Sequence, residues 1–120
     1  IGGNASTTMH GYYYMTSPII NAAGATKLYL GFWRWLNSDY LPYMQNSVEV
    51  FNGSSWVVVW QSGSYPAVQD AAWSQQSFDI SAHANANLRV RFGHLVGSAG
   101  VFTVSSWNVD DVTVTKVTCN

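Results

Sequence analysis

The sequence predicts an all-β fold: two antiparallel sheets packed face to face as a β-sandwich of jelly-roll type. Helical spacing is almost absent, and the apolar stretches either alternate with period two or run continuously in Val, Tyr, Trp and Phe. Pro, Gly and Asn divide these stretches into eight or nine short strands. No helix long enough for a parallel crossover intervenes, so the strands must pair antiparallel and bury one face against a second sheet.

The first strand is predicted over residues 12–17 and is stopped by Pro18, with Ile19 and Ile20 leading into an Asn-Ala-Ala-Gly turn at 21–24. The second covers 27–36. Leu28, Leu30 and Phe32 share one of its faces and Tyr29, Gly31, Trp33 and Trp35 the other, so it is expected to be covered on both sides. A polar loop at 37–46 follows, containing Asp39, Pro42 and two tyrosines. Strands at 47–51 and 56–61 flank Asn52-Gly53-Ser54-Ser55, where Asn-Gly supplies the positive φ of a tight hairpin turn. A second irregular stretch spans 62–74 and holds Gly63, Tyr65, Pro66 and Trp73. Phe78 and Ile80 alternate with Ser77 and Asp79 in a strand at 75–80. One helical turn is expected within 81–87, then a strand at 88–96 with Leu88, Val90 and Phe92 facing in. The last strands are predicted at 101–105 and 109–117.

Composition narrows the function. Trp, Tyr and Phe make up 15% of the 120 residues, whereas Asp, Glu, Lys and Arg supply 9%, against roughly 25% in an average domain. The surface must therefore be Ser, Thr, Asn, Gln and Gly, a coat common on exported proteins. A net charge of −1 with scattered basic residues offers no footprint for nucleic acid or an acidic membrane, and no stretch is long and apolar enough to span one. Cys119 is the one cysteine, which excludes an internal disulfide. Residues 1–120 are expected to be one domain, an internal piece of a larger secreted protein, monomeric and extracellular.

The order of landmarks resembles MAM-like jelly rolls, in particular the bacterial cleaved-adhesin type. These landmarks are Thr16-Ser17-Pro18-Ile19-Ile20, Leu28-Tyr29-Leu30-Gly31-Phe32-Trp33, Val48-Glu49-Val50-Phe51-Asn52-Gly53, Trp56, Trp73 with Phe78-Asp79-Ile80-Ser81, Arg89-Val90-Arg91-Phe92, and Trp107-Asn108-Val109-Asp110-Asp111-Val112. The resemblance implies a non-catalytic accessory or adhesion domain of a secreted protease or adhesin. It also places Trp56, Trp73 and Trp107 in the core and points to Asp111, with Asp110, as a ligand of a structural calcium. Adjacent carboxylates on a strand should point to opposite faces, so one of the pair would face the core and need a partner. The alternative is a carboxylate capping backbone N–H groups in a turn.

Catalytic readings lack their residues. Glu49 is the only glutamate, and a sandwich glycoside hydrolase needs two carboxylates in one groove. Glu49 is expected instead to face solvent, paired with Arg34 or Arg91. His10, His83 and His94 are isolated in sequence, and no nucleophile-elbow, zinc or phosphate-loop motif occurs. Aromatic faces flanked by amides suit sugar rings. The loop residues Tyr40, Tyr43 and Tyr65, beside Asn37 and Asp39, are the candidates for binding a glycan or an extracellular protein. The alternative is a spacer that touches only neighbouring domains of its parent chain, with a loop that packs its own tyrosines; a hydrolase is the remote one.

Overall fold

The computed structural model describes residues 9–98 and 106–119. They form two antiparallel sheets. The first carries β1 (His10–Thr16), β7 (Arg89–Val96), β3 (Met44–Phe51) and β4 (Trp56–Gln61) in that order. In the second, β2 (Lys27–Ser38) is central, with β8 (Ser106–Val117) along one edge and β6 (Ser74–Asp79) with the two-residue β5 (Val68–Gln69) along the other. The chain changes sheet at every connection except β3–β4 and β5–β6, the jelly-roll pattern the sequence predicts.

The core follows from period-two alternation. Leu28, Leu30, Phe32 and Leu36 of β2 meet Val48 and Val50 of β3 and Val90 and Phe92 of β7, with Trp107 of β8 filling the space between. Phe32 sets its ring edge-on to Phe92, with centroids 5.1 Å apart, and to Trp107 at 6.4 Å. The opposite face of β2 is open: Tyr29 and Trp33 are exposed. The expectation that β2 is covered on both sides therefore fails, because no third layer lies over that sheet among the described residues.

The predicted turns form by the expected chemistry. Asn52 Oδ1 accepts the N–H groups of Ser54 and Ser55, each at 2.9 Å, while Gly53 adopts φ 98°. After β6, Asp79 Oδ1 accepts the Ser81 hydroxyl at 2.5 Å and its N–H at 3.0 Å, opening a single 3-10 turn at Ser81–His83. Those two bonds hold the Asp79 carboxyl below its usual range.

Boundaries differ from expectation in several places: β1 begins at His10, and β5 lies within the stretch at 62–74 expected to be irregular. β2 runs on to Ser38 and β3 begins at Met44, which shortens the first loop. β8 begins at Ser106, so Trp107 is a strand residue; the strand predicted at 101–105 lies outside the described residues. One inward polar residue is accounted for at the sandwich end. Arg34 binds both oxygens of Asp70, at 2.9 and 3.0 Å, and lies 5.3 Å from the Trp60 ring; Asp70 also accepts the Leu36 N–H. This clamp ties the stretch before β6 to β2.

Candidate functional site

The outward face of the first sheet is built from register rows. Tyr14, Gly93, Ser47 and Gln61 are aligned across β1, β7, β3 and β4, and the next row is Thr16, Arg91, Glu49 and Val58. The two middle strands carry almost no side-chain volume in the first row, whereas the edge strands carry a phenol ring and an amide. The result is a shallow trough of about 90 Å³ lined by Tyr12, Tyr14, Gln45, Ser47, Glu49, Val58 and Gln61. Gly93 is required there: an added Cβ would lie 2.5 Å from Ser47 Oγ, 2.8 Å from the Tyr14 ring and 2.9 Å from the Tyr12 ring.

Arg91 closes one end. Its guanidinium lies between two rings, 3.7 Å from the Tyr14 centroid and 4.1 Å from that of Trp56, and its Nε and Nη2 donate to the two oxygens of Glu49 at 2.9 and 3.2 Å. Glu49 is therefore only 7% exposed, rather than facing solvent as expected, because the rings and Arg91 cover it. Of its two proposed partners Arg91 is the one found; Arg34 belongs to Asp70.

The tyrosine wall is fixed as well. Tyr12 and Tyr14 stack nearly parallel, 10° apart with centroids at 5.4 Å, and the Tyr12 hydroxyl donates to Gln45 Oε1 at 2.6 Å. Burial first, then the neighbouring Tyr14, pushes the Tyr12 phenol up to about 12, so it stays a neutral donor at any physiological pH. The trough thus offers flat aromatic surface, amides, a hydroxyl and an internally neutralised ion pair.

No family model matches this sequence, and no curated protein does. The chain is similar in structure to TmCBM61, a carbohydrate-binding module solved in complex with beta-1,4-galactotriose, at 12% sequence identity and a TM-score of 0.49 over 88% of this chain. It spans 62% of that chain's length.

The predicted loop residues are brought together, in part. The Tyr40 ring packs edge-on against Tyr43 at 5.7 Å and against Tyr65 at 5.2 Å, and the Leu41 N–H donates to the Gly63 carbonyl. Tyr65 is 79% exposed, but Tyr40 and Tyr43 are half-buried by this mutual packing. Asp39 is a correction: it is 2% exposed, its Oδ1 accepting the Tyr40 N–H, so it braces the loop and presents nothing to a ligand. Asn37 lies elsewhere, in β2 on the second sheet, paired with Gln69 and Ser106. The cluster and the trough adjoin at Gln45, which lines the trough and whose Nε2 donates to the Ser62 carbonyl at 3.1 Å.

Asp110 and Asp111 do not alternate as strand neighbours should. They sit at a β-bulge opposite Gly31 and Trp33, where Asp111 takes φ 50° and its N–H donates to Asp110 Oδ1. Both are exposed, so neither is the core-facing carboxylate that the calcium expectation requires. Among the described residues, no group of three or more His, Cys, Asp or Glu gathers around them, and Ca²⁺ takes six to eight oxygens.

Of the three tryptophans expected in the core, only Trp107 is there. Trp56 backs Arg91 on the outer face and Trp73 is 43% exposed.

Proposed function

We propose that this domain is a non-catalytic recognition module that binds an uncharged glycan in the trough of the first sheet. The observation that carries the reading is the trough itself, a space of about 90 Å³ between the Tyr12–Tyr14 pair and the amides of Gln45 and Gln61, with the tyrosine rings packed down over Gly93. Sugar rings present apolar C–H faces and a rim of hydroxyls. Tyr12 and Tyr14 supply the flat surface for the first, while Gln45 and Gln61 supply donors and acceptors for the second; Ser47, 2% exposed with its hydroxyl donating to Glu49 Oε2, forms the floor between them. Arg91 and Glu49 neutralise each other, which leaves nothing in the trough to prefer a charged ligand. Glu49 is also the one carboxylate among the described lining residues, and it is held in a bidentate pair, so the two-acid arrangement of a glycosidase is missing there. The low surface charge and the MAM-like order of landmarks support an extracellular setting within a larger secreted protein.

The test is titration calorimetry against a panel of neutral oligosaccharides. Tyr14→Ala removes one stacking face and is expected to weaken binding by about tenfold or more, that is about 1.4 kcal/mol. Gly93→Ala removes no lining residue but its methyl forces the Ser47 hydroxyl and both tyrosine rings aside; it should cost about 1–3 kcal/mol of stability and weaken binding comparably. Unchanged affinity in both folded variants would reject the trough.

A further inference from the structure

The outer face of the second sheet carries its own aromatic row, on the opposite side of the sandwich from the trough. Along β2 the outward residues are Tyr29, Gly31, Trp33, Trp35 and Asn37. Every second residue of a strand advances ~6.7 Å, so Tyr29 to Trp35 spans ~20 Å. Trp33 is 39% exposed, and Trp73 sets its ring edge-on to Trp35 at 6.0 Å, widening the row at one end. Exposed aromatic surface of this extent on a single domain marks an interaction site.

The flanking strands identify the occupant. Tyr29 lies between Asp79 and Thr115, Gly31 between Ser77 and Thr113, and Trp33 between Gln75 and Asp110; Asn108 stands beside Trp35. Tyr29 and Trp33 are thus flanked in register by polar side chains that can bond to sugar hydroxyls, with the exposed Val112 and Val117 of β8 as apolar exceptions. Asp79 and Asp110 put two negative charges on the strip, and Lys27, two residues before Tyr29, lies near Asp79 and partly offsets it. A polyanion would be repelled, whereas a neutral chain could stack on the rings and bond to Gln75, Ser77, Asn108 and Thr113. The rings follow one strand, which suits a polymer lying along β2.

We propose that this face is a second glycan-binding site, specific for neutral linear polysaccharide. With sites on both outer faces of a sandwich whose sheets pack about 10 Å apart, one domain bridges two polymer chains.

Affinity electrophoresis in gels containing mixed-linkage β-glucan, xylan or β-1,4-galactan tests this, with polygalacturonate as the charged control. The trough is first disabled by Tyr14→Ala. That variant should keep a measurable retardation by a neutral polymer, and adding Trp33→Ala or Ser77→Arg should weaken it by about tenfold or more. Ser77→Arg lays a long charged side chain over Gly31 without removing any packed ring, so it still tests the face if Trp33→Ala unfolds. Wild type should also raise the turbidity of the polymer solution, and Ser77→Arg alone should abolish that. If Tyr14→Ala leaves no retardation at all, the strip is overturned while the trough reading stands. If Tyr14→Ala behaves as wild type and Ser77→Arg removes binding, the strip stands and the trough falls. Preferential retardation by polygalacturonate, or a monomer–dimer equilibrium that Ser77→Arg disrupts with no change in polymer binding, would overturn the proposal. Lack of retardation by every polymer would overturn both.

Discussion

Glu49→Ala is expected to cost about 3–5 kcal/mol of folding free energy, far more than a surface charge deletion. The reason is what it leaves behind. Arg91 lies between the Tyr14 and Trp56 rings with its side chain 19% exposed, so removal of the carboxylate strands a largely dehydrated guanidinium without a counter-ion. Replacing both partners by apolar residues, Glu49→Leu with Arg91→Met, should recover much of the loss, because the penalty belongs to the unpaired charge and not to the missing bond. Denaturant midpoints of the two singles and the double give the coupling directly. A single-variant loss below about 1 kcal/mol would mean that the pair behaves as an exposed one.

Acidification is expected to remove about 3 kcal/mol between pH 6.5 and pH 4 through one residue, His94. Its ring is buried, with Nδ1 bonded to Asn46 Oδ1 at 2.8 Å and the His10 ring at 5.5 Å between centroids. Burial first, then the neighbouring His10, lowers its pKa from 6.5 to about 4. The unfolded chain therefore binds a proton at pH 5 that the folded chain refuses. The stability is fully present above 6.5 and is lost as pH falls toward 4, and that gap corresponds to about 3 kcal/mol. His94→Gln should flatten this slope when urea midpoints are followed against pH. An equal slope in both proteins would place the titrating group elsewhere.

The sandwich was legible because its signals are local. Alternation through Leu28, Leu30 and Phe32, the Asn52-Gly53 turn and the stop at Pro18 each act within a few residues. The trough was not, since it depends on Gly93 being placed beside Ser47, residues far apart in the chain and each unremarkable alone. The same holds for Arg91, whose two ring partners come from β1 and β4. A signal existed in retrospect: a glycine inside a strand between Phe92 and His94 is costly unless something must approach the backbone there. Exposed loop tyrosines misled in part because rings that meet in a loop bury one another, as Tyr40 and Tyr43 do, and because a short carboxylate such as Asp39 bonds its own backbone. The bulge at Asp111 defeated the two-face rule for neighbouring carboxylates, since one extra residue breaks the alternation on which that rule rests.

The central claim is that the first sheet's outer face receives a sugar. Chemical-shift mapping during titration with the best neutral oligosaccharide from the panel tests it most directly. Saturable shifts at the amides of Gln45, Ser47, Gln61 and Gly93 and on the Tyr12 and Tyr14 rings are predicted. Shifts confined to the Tyr40, Tyr43 and Tyr65 cluster, with Gly93 and Ser47 unmoved at saturation, would contradict it.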